Sequence, residues 1–247
     1  MTDATVQREA PLPRTVPFLL SFVAGYVDSY TYLALFGLFA AQVTGSFVIA
    51  GAEFVTRDYG IAGKLLAIVA FVAAAAITAA LIVFARDKGA AALPWMLALE
   101  TALLALFTAM LLFGPTIQNA RDWHGIVAGL IAAAAMGTQS VLVRLLMKGI
   151  PQTNVMTGNM TQLGIETTEL IRVWRRHAHD PVDAAHAQDF LAVRARLGTV
   201  LSITIGFILG AACGAAAYAA TRLVGAPLAV LLVGALTLWS IWRARVG

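Results

Sequence analysis

Apolar residues in this chain fall into long blocks, not into the alternating pattern of strands or the one-sided stripe of soluble helices. Six blocks, at about 18–41, 59–85, 91–113, 125–147, 199–221 and 226–242, run to roughly 20 residues. That length crosses a hydrocarbon core of about 30 Å at 1.5 Å per residue. Two shorter blocks follow the first and the fourth of these, at 43–56 and 155–171. As helices they reach only about 21 and 25 Å. The expected fold is therefore an all-α polytopic membrane protein with six full transmembrane helices and two short ones. A membrane barrel needs alternating segments of about 10 residues, and the sequence has none.

Both short blocks open on the same signal. Val43-Thr44-Gly45-Ser46 and Met156-Thr157-Gly158-Asn159 each precede a Gly six residues past the motif Gly (Gly51, Gly164) and a Glu eight past it (Glu53, Glu166). The match extends backwards. Gly25 and Gly137 are expected to begin comparable helices, each followed twelve residues later by another Gly (Gly37, Gly149). This spacing predicts two internal repeats. The resulting organisation is a polar tail at 1–16, repeat one at 17–114, repeat two at 115–242 with a polar loop at 172–196, and a short tail at 243–247. If both short helices cross the membrane, the repeats are parallel. If they are half-helices or re-enter, each half has three crossings and the repeats are inverted. Their short length favours the inverted arrangement.

Composition supports the membrane class and narrows the rest. The chain is 60% apolar and 12% charged, against about 25% charged in soluble domains. The net charge of +4 is not a nucleic-acid signature, because Lys and Arg lie mostly between the apolar blocks. There they orient the chain. With the N-terminus inside, a crossing arrangement puts 12 Lys and Arg inside and 5 outside; a re-entrant one puts 13 inside and 4 outside. Both support cytoplasmic termini and a cytoplasmic 172–196 loop. A single Cys, Cys213, excludes an internal disulfide framework.

Candidate chemistry gathers at the two Thr-Gly stretches. Gly permits a chain break, Ser, Thr and Asn cap helix starts, and a helix start offers free N–H groups to an anion. Irregular backbone inside a bilayer is tolerated only where it is buried in protein or lines a cavity. Two matching breaks are the sequence pointer to a transporter site near the midplane. Thr44, Gly45, Ser46, Thr157, Gly158, Asn159 and Thr161 are therefore candidate substrate contacts, with Gln42, Gln139 and Asn154 flanking them. Asp28 stands within the first apolar block, where a carboxylate costs about 2.5–3.5 kcal/mol to insert. It is a candidate coupling or gating group, and Arg144 a candidate partner. Glu53 and Glu166 are expected at the surface. Glu100 lies deeper in its block, and Tyr26, Tyr30 and Tyr32 read as packing or anchoring aromatics. The histidines and aspartates of 172–196 match no strong metal spacing. No phosphate loop or nucleophile elbow is found, so no enzyme, metal or cofactor is expected.

Gly25-Tyr26-Val27-Asp28, Gly37 and Thr44-Gly45, followed by Gly137-x-Gln139, Arg144 and Thr157-Gly158-Asn159-Met160-Thr161, resemble the YoaK-like family of bacterial membrane proteins. The resemblance covers about 15–240. It departs at Ser46, where the family pattern commonly has Asn. It implies an integral inner-membrane protein whose biochemical activity is not established. The function expected from the residues is a secondary transporter or channel-like permease for a small polar or anionic solute. The alternative is a membrane scaffold or assembly protein that uses Gly206, Gly210 and Gly214 to bind partner helices, either partner proteins or a second copy.

Overall fold

The computed structural model describes residues 12–56, 60–179 and 184–246. Among these residues are eight α-helices and no strands. They are α1 (Thr15–Ala34), α2 (Val43–Thr56), α3 (Ile61–Asp87), α4 (Ala92–Phe113), α5 (Trp123–Leu146), α6 (Met156–His179), α7 (Ala184–Thr221) and α8 (Pro227–Val246), with a 3-10 turn at Arg222–Gly225. Five helices are long and apolar enough to cross a membrane: α3, α4, α5, α7 and α8. The expected sixth, α1, is not among them because it carries Asp28, two Ser, two Thr and three Tyr in its 20 residues, which lower its mean hydropathy. It is long enough, and its more polar residues are tolerated because most of it is enclosed by other helices.

Close backbone packing sets the helix directions. Gly206, Gly210 and Gly214 of α7 lie against the carbonyl oxygens of Phe18, Phe22 and Tyr26 of α1, and a Cβ at any of the three would overlap them. Both sequences ascend together, so α1 and α7 are parallel. In the same way Gly63 of α3 packs on Ile126 of α5, Gly137 of α5 lies on the Phe71 carbonyl of α3, and Arg86 Nη2 at the end of α3 donates to the Leu145 carbonyl at the end of α5 at 2.7 Å. Hence α3 and α5 are also parallel. The start of α1 meets the end of α5, where Gln139 Nε2 donates to the Leu20 carbonyl at 2.9 Å. Leu35 and Leu38, just past α1, pack on Gly129 near the start of α5. So α1 and α5 are antiparallel. The hydroxyls of Thr101 and Thr237, 3.0 Å apart, join α4 to α8.

Several local expectations are corrected. Gly25 and Gly137 do not begin helices; they sit inside α1 and α5, each under a neighbouring Phe carbonyl. The first block ends at Ala34 rather than 41, because Phe36 (φ 54°) and Gly37 (φ 81°) turn the chain while Gly37 N–H bonds the Tyr32 carbonyl. Such a cap closes a helix by a left-handed residue. The polar loop expected at 172–196 is largely helical. α6 continues to His179 and α7 begins at Ala184, and His177 stacks on Phe190 at 5.9 Å. Charge spread along two paired amphipathic helices has the same polar composition as a solvated loop. The 1–11 tail, Tyr59, Asp180 and Asp183 lie outside the described residues.

Candidate functional site

Both Thr-Gly stretches start helices, α2 and α6. Each is reached by a linker that folds back against the bundle, at 35–42 and 147–155. The two linkers are fastened by different chemistry.

Asp28 fastens the first. It is 2% exposed, six residues before the end of α1, which is about 9 Å along the axis. Its Oδ1 accepts the Ala41 N–H at 2.6 Å, and its Oδ2 accepts the Gln42 N–H at 3.0 Å. Both carboxylate oxygens are thus engaged with backbone just ahead of α2. From there α2 runs back antiparallel to α3, and near its end Glu53 Oε1 accepts from Lys64 Nζ at 2.6 Å. Lys64 is 2% exposed and also donates to the Phe36 carbonyl at 3.2 Å. The expectation of a surface Glu53 is overturned here: its cationic partner is buried, so the pair is withdrawn from water. Ser46 is buried and its Oγ has no partner among the described residues, Gly45 lies on the Phe39 ring, and Thr44 is exposed.

Uncharged groups fasten the second linker. Gln139 Nε2 donates to Thr153 Oγ1 at 2.8 Å as well as to Leu20. Ser21 Oγ lies 3.0 Å from the Thr153 carbonyl and 2.7 Å from the Ile203 carbonyl. Asn154 is buried, with its Oδ1 accepting from Ser140 Oγ at 3.4 Å. Asn159 Nδ2 donates to the Gln152 carbonyl at 2.7 Å, tying the first turn of α6 to the linker. Asp28 and Ser21 are seven residues apart on α1, about 10 Å, so the two fastenings are staggered along one helix. The main neighbour of α2 is α3 and that of α6 is α7.

The surroundings of the two stretches differ most. Beside the second is an open cleft of about 580 Å³, lined among others by Arg14, Arg144, Gln152, Gly158, Asn159 and Arg196. A smaller crevice of about 10 Å³, between Phe36, Gly60, Lys64 and Asn119, lies by the start of α3, and no residue of the first Thr-Gly stretch lines it. Of the sequence-predicted residues, Arg144, Gly158 and Asn159 reach the cleft, while Gln139 and Asn154 support its inner wall. Thr157 and Thr161 are exposed, and Thr161 Oγ1 is turned onto the Thr157 carbonyl at 3.1 Å. Arg144 does not pair with Asp28. Its Nε faces the Gln152 side-chain amide, and turning that amide over lets Oε1 accept from Nε at 3.2 Å, near the opposite end of α1. Glu166, also expected at the surface, is 6% exposed and accepts from Arg196 Nε at 3.2 Å and Gln162 Nε2 at 2.8 Å.

A sequence match spans residues 16–240. The chain belongs to the DUF1275 family, proteins of unknown function. The YoaK-like resemblance is consistent with that membership. No curated protein matches the chain, and no solved structure does. Membership thus assigns kinship over nearly the whole chain and leaves the chemistry of the cleft to be read from its own residues. Arg14, Gln152, Glu166 and Arg196 line it without having been singled out as site residues. Arg196 was hidden by reading 172–196 as a loop. Arg14 was hidden by reading the first 16 residues as a tail. The matched offsets of Glu53 and Glu166 were the signal for the ion pairs, since both take a cation from the following helix.

Elsewhere Tyr26 and Tyr30 stack, 5.8 Å between ring centroids, and donate to the Gly225 and Arg222 carbonyls. They fix the turn before α8. Glu100 is fully buried in α4, and neither carboxylate oxygen has a partner among the described residues.

Proposed function

We propose that this protein is a secondary transporter or channel-like permease of the bacterial inner membrane for a small polar or anionic solute. Its working parts are two inverted repeats, each with three crossing helices and one short helix that starts inside the membrane and returns to the side from which its linker came. The packing supports this reading by its reciprocity. The first helix of each half runs parallel to the third of the other, α1 with α7 and α5 with α3, while α1 and α5 oppose each other. Gly25 meets the Phe207 carbonyl and Gly137 meets the Phe71 carbonyl in corresponding places. Inverted repeats with broken helices at the midplane are a common transporter plan.

Orientation follows from charge. Of the 15 described Lys and Arg, only Lys64, Arg121 and Arg222 lie at the end where α1 finishes; the other 12 lie at the end where it starts. The positive-inside rule makes the second end cytoplasmic. The cleft at Gly158 and Asn159 opens toward that end, while the linker fastened by Asp28 closes the other. The observation that carries the proposal is the cleft at the second helix start, on the side opposite the linker that Asp28 fastens; a site open to one side is what one state of an alternating-access cycle requires. The scaffold alternative loses its surface, because Gly206, Gly210 and Gly214 are occupied by α1 within the monomer. Replacing Thr157, Gly158 and Asn159 together by Ala, in protein that still inserts, is expected to abolish uptake into reconstituted vesicles. Unchanged uptake of an identified substrate would overturn the assignment.

A further inference from the structure

The charge of the cleft names its ligand more closely. Four ionisable side chains line it, Arg14, Arg144, Arg196 and Glu166, a net charge of +2 from three cations and one anion. Glu166 is engaged with Arg196. Among the described residues, Arg14 and Arg144 have no carboxylate partner. The three cations come from separate elements: Arg14 from the residue ahead of α1, Arg144 from the last turn of α5 and Arg196 from α7. They are converged by tertiary packing. Arg14 Nη1 lies beside α7, 3.9 Å from where a Cβ on Gly198 would stand. Gln152 can hold Arg144 Nε at the linker with its amide turned so that Oε1 faces the guanidinium. Three guanidinium groups beside one carboxylate repel one another unless an anion joins them. Guanidinium forks match the oxygens of a phosphate, taking two at a time.

We propose that this cleft binds a phosphate group, borne by a soluble small molecule or by the headgroup of an anionic phospholipid. Arg14, Arg144 and Arg196 contact its oxygens, and the two negative charges of a phosphomonoester balance the +2 of the lining. A volume of about 580 Å³ exceeds what a bare phosphate fills and lies within the ~300–1,000 Å³ of small-molecule sites, so the phosphate comes attached to an organic body. The proposal rests on reading the cleft as the binding site of a permease and names the ligand class of that site.

The test is equilibrium binding by the purified full chain in nanodiscs. In one arm the discs are phosphatidylcholine, and glycerol phosphate or inorganic phosphate is compared with chloride at matched ionic strength by thermal shift. In the other arm retention of phosphatidylglycerol is compared with phosphatidylcholine by native mass spectrometry. Arg14→Gln, Arg144→Gln and Arg196→Gln are each expected to weaken whichever arm binds by about 10-fold or more, the loss of one charge-assisted contact. Arg196→Lys, which keeps the charge and the fold, loses less. A soluble phosphate response identifies a solute site, and a phosphatidylglycerol response alone identifies a headgroup site. No preference in either arm, or a preference that survives all three Gln variants, overturns the proposal. Binding needs no uptake, so phosphate binding without transport would sink only the permease reading. Transport of a neutral solute without phosphate binding would sink only this one.

Discussion

The two Thr-Gly stretches begin from nearly the same words and end in different states. The first is locked by charge that is out of the water. Asp28 takes two backbone N–H groups, and buried Lys64 is held between Glu53 and a carbonyl. The second is held by neutral hydrogen bonds from Ser21, Gln139 and Asn159, and its ion pair, Glu166 with Arg196, leaves the Arg side chain 57% exposed. A cleft of about 580 Å³ lies beside the second, with Gly158 and Asn159 in its lining. Similar helix starts can therefore be fastened with different strength. Buried charged bonds are costly to break one-sidedly, whereas neutral and solvated ones yield more easily.

The comparison is broken most directly at the ion pairs. Lys64→Met leaves the Glu53 carboxylate and the Phe36 carbonyl without their cation, and a loss of about 3–5 kcal/mol is expected for orphaning a buried charge. The equivalent Arg196→Met should cost less, about 1–2 kcal/mol, because that guanidinium is more than half in water and buried Glu166 keeps the Gln162 amide as a donor. Thermal unfolding in one detergent measures both. Equal losses would remove the distinction between a locked and a loose half.

A smaller contrast is expected at the linkers. Asp28→Ala exposes the Ala41 and Gln42 N–H groups to a dry interior and should cost about 2–3 kcal/mol, the scale of bonds to a charged acceptor. Ser140→Ala in the second half removes one long neutral bond and should cost about 1 kcal/mol or less. The difference in denaturation midpoint between the two variants reads this directly.

The mildest probe touches access without stability. In a Cys213→Ser background, Gly158→Cys should react with a membrane-impermeant thiol reagent added from the Arg-rich end, and Ser46→Cys should not. Equal labelling rates would mean that both helix starts see water.

Much of this was legible in the chain. The apolar blocks at 59–85, 91–113, 125–147, 199–221 and 226–242 correspond to α3, α4, α5, the second part of α7 and α8, because a bilayer demands length and apolarity from any spanning helix. Val43 and Met156 do open helices, as the Thr-Gly signal predicts. Less legible was how the acids are partnered. Glu53 and Glu166 sat at offsets that suggested the surface, yet each meets a cation that belongs to the next helix of its own hairpin. Asp28 was readable as a costly intramembrane group, but its partners are backbone N–H groups, which leave no mark in a sequence. Arg144 was readable as a possible partner for Asp28, but the antiparallel course of α1 and α5 puts the two near opposite ends of the bundle.

The sequence by itself determined the helical membrane class, the two Thr-Gly helix starts and the asymmetric distribution of Lys and Arg. These follow from local requirements of length, capping and charge, which each segment meets alone. Only the tertiary structure decided that α1 lies parallel to α7 and against α5, that Asp28 is spent on a linker, and that Arg14, Arg144 and Arg196 share one cleft. Those facts depend on which helices meet, and the meeting is set by glycines that admit a neighbour's carbonyl and by polar bonds across more than a hundred residues.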